Sequence, residues 1–235
     1  MQNILLSKRL LAIARHIPEN TYFADIGADH AYLACYLCLR DPFTKGIASD
    51  VNEGPLMSAK KNVEKYNLEN RISVRLGDGL SVLKDDQIDT LIISGMGGAL
   101  MKDILEEGKN KLSSVKRIVL QPNIGEELVR SWLINNEFAI VDEEILEENE
   151  KIYEIIVADR IHKDEQNLTK KQLYFGPLLL QRRTEIFIKK WVNRKIFIEK
   201  VIKQMKRSKN IDESKLTTFK TQLHWIKEVL KDEKN

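Results

Sequence analysis

Asp25-Ile26-Gly27-Ala28-Asp29-His30-Ala31 closes the apolar run Tyr22–Ile26 and leads directly into a helical pattern over residues 30–40. A glycine turn between a strand and a helix lets backbone come close to a ligand, and the helix N-terminus offers free N–H groups. This is half of a dinucleotide fingerprint. Of the three glycines in G-x-G-x-x-G only Gly27 is present, and Asp29 stands in the place of the second. A carboxylate there repels a pyrophosphate but suits the ammonium of a methionine moiety or a ribose hydroxyl. The turn therefore favours S-adenosylmethionine over NAD.

Outward from this turn the chain alternates. Apolar runs at 22–26, 46–49, 72–76, 90–93 and 117–120 are separated by helical patterns at 30–40, 53–67, 97–108 and 125–136, after an N-terminal helix expected over 4–16. Repeated strand then helix predicts a parallel sheet covered on both faces. Residues 138–146 and 152–159 are extended runs joined by a polar stretch and read as an antiparallel hairpin. The expected fold class is thus α/β, a class I (Rossmann-like) methyltransferase domain over 1–160. Beyond Arg160 no strand pattern survives. Residues at helical steps (Leu178, Leu179, Arg182, Ile186, Lys189, Val192, Ile196, Val201, Met205), most of them apolar, predict a long helix with one apolar stripe beginning near Gly176-Pro177. A second (Leu216, Phe219, Leu223, Ile226, Val229, Leu230) follows a polar break at 208–213. Residues 161–235 are therefore expected to form a helical hairpin domain of coiled-coil-like character.

Charge divides the chain the same way. Residues 163–235 hold 19 Lys and Arg against 9 Asp and Glu, a net +10, which leaves −7 for the remainder of a chain whose total is +3. A basic appendage beside an acidic domain points to a polyanion, with nucleic acid first; a solvated lysine-rich helix face is the plain alternative. Candidate RNA contacts are Arg182, Lys189, Lys190 and Lys203 in the tail, with Lys8 and Arg9 near the N-terminus. No run of about 18 apolar residues and no signal-peptide order occur, so a soluble, cytoplasmic protein with no membrane partner is expected. Cys35 and Cys38 have no second pair at ligand spacing, and no metal is expected.

The candidate cofactor site sits at the carboxyl ends of consecutive strands, where open α/β sheets bind ligands. Asp25, Gly27, Ala28, Asp29 and His30 form the first loop. Asp50 ends the second strand, placed to accept ribose hydroxyls or simply to cap the next helix. Asp78 and Gly79, within Gly77-Asp78-Gly79, follow the third strand at the expected adenine edge, with a plain glycine turn as the alternative. Ser94 and Gly95 open Ser94-Gly95-Met96-Gly97-Gly98 after the fourth strand, and Gln121-Pro122-Asn123 follows the fifth. The Asn/Asp-Pro-Pro-Tyr/Phe motif of many exocyclic-amine methyltransferases is missing, which argues against that type of acceptor.

The segments Asp25-Ile-Gly-Ala-Asp-His-Ala-Tyr-Leu33, Ser94-Gly-Met-Gly-Gly98 and Leu120-Gln-Pro-Asn123, with the opening Leu6-Ser-Lys-Arg-Leu10 and the basic tail, resemble the bacterial TrmK family over essentially the whole chain. Ala34 departs from the proline expected in many members. The resemblance implies methylation of ring nitrogen N1 of adenosine 22 in the D-arm of tRNA. N1 carries an available lone pair, so catalysis needs positioning rather than a strong base, an effect worth ~7–11 kcal/mol. Because N1 lies on the pairing edge, the nucleotide must be unpaired or flipped. Asp29, Met96 and Asn123 are the candidates for the target pocket. The competing reading is a non-catalytic RNA-binding protein on an inactive methyltransferase-like fold; a small-molecule methyltransferase leaves the basic tail without a purpose.

Overall fold

The computed structural model describes residues 4–161, 167–207 and 212–231. They fall into two compact units, Met1–Leu178 and Leu179–Asn235.

In the first unit, seven strands form one sheet in the order β3-β2-β1-β4-β5-β7-β6. β1 (Tyr22–Ile26), β2 (Lys45–Asp50), β3 (Ile72–Leu76), β4 (Thr90–Met96) and β5 (Arg117–Pro122) run parallel, whereas β7 (Lys151–Arg160) is antiparallel to both β5 and β6 (Phe138–Glu148). The crossovers are α2 (Tyr32–Arg40), α3 (Glu53–Lys65), α4 (Gly98–Glu107) and α5 (Glu126–Ile134), and α1 (Lys8–Arg15) precedes β1. Order reverses between β1 and β4, which creates the crevice at the carboxyl ends of those strands.

Strand side chains alternate between faces, and two cores result. Ala24, Ile26, Leu91, Ile93, Ile118 and Leu120 pack with the residues of α4 and α5; Phe23, Ile92, Val119 and Val157 pack with those of α1, α2 and α3. Cys35 and Cys38 are buried on α2 as free thiols, and burial pushes them up to about 12 and about 11. The β6–β7 turn is tighter than its polar stretch suggests: Asn149 and Glu150 alone span it, at φ 50° and 63°, the two left-handed residues that a tight hairpin requires.

The largest departure lies after β7. The long helix expected from 177 is two pieces, α7 (Pro177–Arg182) and α8 (Glu185–Met205), and a further short helix, α6 (Lys170–Phe175), precedes them. Gly176 at φ 86° separates α6 from α7, and Arg183 at φ 43° ends α7. Thr184 then caps α8, its hydroxyl accepting from Phe187 N at 3.3 Å. Residues 170–178 cluster with the first unit, so the boundary between units falls at 178 rather than 160. A fully buried ion triad explains why. Arg130 donates to Glu143 at 2.7 Å, to Glu154 at 2.6 Å and to the Leu173 carbonyl at 3.1 Å, while Glu143 accepts from Leu178 N at 2.8 Å. Burial opposes the charge of Arg130, but the carboxylates of Glu154 and Glu143 outweigh it and hold the guanidinium above its ordinary value.

In the second unit α8 packs on α9 (Glu213–Lys231). The buried residues are Phe187, Trp191 and Ile198 on α8 and Leu216, Ile226 and Val229 on α9. The stripe expected on α8 is therefore rotated, since Val192 and Ile196 are 39% and 47% exposed. The aromatic pair bury more apolar area than the β-branched pair and set the face. Residues 208–211 of the expected break lie outside the described residues.

Candidate active site

Side-chain alternation brings three polar groups to one place. In β1, Asp25 shares a face with Phe23; in β5, Gln121 shares it with Val119, and both point toward α1. α1 meets them with Arg9. Its first turn is anchored to the end of β6, where Glu148 accepts from Lys8 N at 2.6 Å and from Arg9 N at 3.4 Å. Further along the helix, Arg15 and His16 bond Glu144 at 2.6 and 3.2 Å. Held this way, the Arg9 guanidinium lies 5.6 Å from the Tyr153 ring centroid and donates to Gln121 Oε1 at 2.6 Å.

The polar line continues through the crevice. Gln121 Nε2 donates to Asn123 Oδ1 at 3.2 Å, and Asn123 Nδ2 donates to the Gly95 carbonyl at 2.6 Å. A cavity of about 260 Å³ opens beside it, lined by Arg9, Asp25, Gly27, Ala28, Asp29, His30, Tyr32, Ser94 and Gly95 among others. Asp25 is 3% exposed, and burial pushes its carboxyl up to about 7 against the pull of Arg9. Asp29 is exposed, with His30 Nε2 at 3.5 Å.

Backbone conformation shapes the first loop. Gly27, Asp29 and Ala31 have φ of 72°, 50° and 55°, and Ala31 is the left-handed N-cap of α2. The methyl end of Met96 occupies the space a Cβ at Gly27 would fill, and φ 72° there favours glycine. Met96 is partly buried and also packs against the α4–α5 core. Gly98 admits no side chain because the backbone of Gly125 lies against it, which ties the loop after β4 to the loop after β5. Two backbone bonds reinforce the tie, Gly98 N to the Ile124 carbonyl and Asn123 N to the Met96 carbonyl, each 2.8 Å.

The remaining expected residues stand apart from this cavity. Asp50 ends β2 beside the first loop, whose Ala28 N donates to the Ser49 carbonyl at 2.8 Å, but its side chain accepts from Asn52 N at 2.9 Å and so braces the turn into α3. Asp78 and Gly79 line a separate cavity of about 450 Å³ with Ile104, Gly108 and Lys111. Asp78 is exposed, and Gly79, at φ 50°, is buried under α4. Lys8 is exposed, whereas Arg9, expected as an RNA contact, turns into the cavity because Glu148 fixes the start of α1. In the second unit Arg182, Lys189 and Lys203 are exposed and Lys190 Nζ sits 5.4 Å from the Trp191 ring centroid. Sequence reasoning missed Arg9 and Tyr32 as cavity residues and Gln121 as the buried partner of Arg9. For Gln121 a signal was available: a polar side chain in an otherwise apolar strand. Among the described residues there is no cluster of three or more metal-ligating side chains and no helix long and apolar enough to cross a membrane.

Residues 23–228 match the TrmK family model, described as tRNA (adenine(22)-N(1))-methyltransferase. The chain is 40% identical to the tRNA (adenine(22)-N(1))-methyltransferase of Bacillus subtilis (strain 168), over 98% of this chain and 99% of that one. The crystal structure of the B. subtilis m1A22 tRNA methyltransferase TrmK superposes with a TM-score of 0.90 at 39% identity, covering 97% of this chain and 100% of that chain. Streptococcus pneumoniae Sp1610 in complex with S-adenosyl-L-methionine does so with a TM-score of 0.86 at 37% identity, covering 96% and 100%. Matching the family model over residues 23–228 and sharing sequence and fold with these proteins along nearly its full length, the chain belongs to the TrmK family.

Proposed function

We propose that this chain transfers the methyl group of S-adenosylmethionine to N1 of adenosine 22 in the D-arm of tRNA, acting in the cytoplasm. The observation that carries the reading is the cavity at the β1–β4 switch point, where buried Asp25, the Gly27 cradle and the Ser94-Gly95 turn converge. Their chemistry fits the cofactor. Carboxylates suit its ammonium, and the open backbone at Gly27 permits the close approach a methionine moiety requires. The bound cofactor supplies an electrophilic methyl on a sulfonium.

The chain's own residues have the task of positioning. Gly27, Ala28 and Asp29 hold the methionine end, with Asp25 and Arg9 behind them, and Asp50 and Asp78 lie at the next two strand ends toward the ribose and adenine. Ser94, Gly95, Met96 and Asn123 border the side from which the target base must enter. No residue is needed to remove a proton from N1, because its lone pair is already free. One N1–C bond forms, one C–S bond breaks, and the electron pair stays on sulfur. Placing the reacting atoms in line supplies the acceleration, and nearby oxygens favour the positive charge that appears on the base.

Arg182, Lys189, Lys190 and Lys203, with Lys8 at the other end of the chain, are the proposed phosphate contacts. The non-catalytic alternative loses ground because the first loop keeps both its carboxylates and its cradle. The test is incubation of the purified chain with S-adenosylmethionine and a tRNA transcript, read by primer-extension arrest. Arrest at adenosine 22, and none when guanosine replaces it, is the expected result. No arrest at 22 with folded protein that binds the cofactor refutes the assignment.

A further inference from the structure

The hydrogen-bonded line across the crevice has a direction that its ends impose. Arg9 can only donate, and the Gly95 carbonyl can only accept. Asn123 must therefore turn its amide nitrogen to Gly95, which leaves Oδ1 toward Gln121; Gln121 must then offer Nε2 to Asn123 and Oε1 to Arg9. No amide along the line can reverse without breaking a bond at one end. Gln121 is wholly buried, so its orientation is held by packing as well.

We propose that Arg9 and Gln121 are positioning residues for methyl transfer, locking Asn123 Oδ1 and the Gly95 carbonyl as paired acceptors for the 6-amino group of the target adenine. The inference rests on the function proposed above and adds how the base is recognised. A carbonyl oxygen carries two lone pairs, and each of these two oxygens uses one of them in the line. As N1 takes the methyl, positive charge spreads over the N1–C6–N6 amidine, the 6-amino protons become stronger donors, and two fixed oxygens gain most in the transition state. Neither oxygen competes for the N1 lone pair. A base without a donor at position 6, such as guanine, would set its carbonyl against both of them.

Gln121→Glu tests this, because the new carboxylate still accepts from Arg9 but has no proton for Asn123. The measurement compares wild type and variant on two tRNAs, one with adenosine at position 22 and one with purine ribonucleoside there, which lacks only the 6-amino group. Gln121→Glu should lower kcat on the adenosine tRNA by about 10- to 100-fold and leave cofactor affinity within about twofold, while the two enzymes agree within about threefold on the purine tRNA. The same fractional loss on both tRNAs would overturn the proposal. Where wild type does not turn over the purine tRNA, affinities of the two tRNAs in the presence of S-adenosylhomocysteine carry the comparison: discrimination present in wild type and lost in the variant is expected, and equal discrimination overturns it. Should Gln121→Glu fail to fold, Asn123→Ala, at an exposed position, takes its place with the same outcomes. Absence of wild-type methylation at adenosine 22 is a different failure, which removes the proposed function.

Discussion

Asp25→Asn replaces a buried carboxyl with a neutral group of the same shape. Asp25 is 3% exposed, and its pKa rises from 3.8 to about 7 through burial, with Arg9 pulling the other way. In the window between those two values the folded chain holds a proton that the unfolded chain has released. Stability linked to this group is therefore complete below about pH 4 and is lost as pH rises toward 7. A shift of about 3 units corresponds to roughly 4 kcal/mol at most, and relaxation around the charge reduces it, so a difference of about 2–4 kcal/mol is expected. Urea unfolding at pH 4.5, 6 and 8 measures it: wild type and Asp25→Asn should be closest in stability at the lowest pH, with the variant pulling ahead toward pH 8. His30 lines the same cavity, so the difference between the two proteins is the quantity to read. A difference that stays flat with pH refutes the argument. Function should move oppositely. If the ionised carboxylate helps hold the cofactor's ammonium, the more stable variant binds S-adenosylmethionine about tenfold more weakly at pH 8, the cost of losing a charged hydrogen-bond partner.

Gly27→Ala should cost about tenfold or more in cofactor affinity by calorimetry while the chain still folds, because the residue sits at φ 72° and its new methyl meets Met96. Arg130→Met should destabilise the first unit by about 3–5 kcal/mol in urea unfolding, since the buried carboxylates of Glu143 and Glu154 lose the cation between them; converting both glutamates to leucine as well should recover most of the loss. Charge reversal at Arg182, Lys189, Lys190 and Lys203 should weaken tRNA binding and flatten its salt dependence by about 0.7–0.9 for each phosphate that is no longer neutralised. Unchanged affinity and slope would assign the tail a purely structural purpose.

Much of the first unit was legible because its signals are local. A parallel strand buried on both faces shows itself as an apolar run, and a glycine turn before a helix shows itself in composition, so β1 to β5 and the loop at Gly27 could be placed from the residues alone. The second unit was harder. Two apolar faces compete on α8, and periodicity cannot say that Phe187 and Trp191, rather than Val192 and Ile196, are the residues that become buried in the folded chain. The break before α8 is equally hidden, because Arg183 adopts φ 43° without the glycine that would announce it.

The sequence by itself determined the strands of the sheet, its closing hairpin, the glycine loop after β1 and the separation of charge between the two ends of the chain, since each depends on neighbours within a few residues. Only the tertiary structure decided which side chains share the crevice. Arg9 lies 112 residues from Gln121, and Glu148, 140 residues from Lys8, aims it there. The burial that raises Asp25, and the triad that draws residues 170–178 onto the first unit, are likewise sums over distant segments. Such groupings depend on strand order and helix docking, which bring together residues whose separation along the chain carries no signal of their proximity.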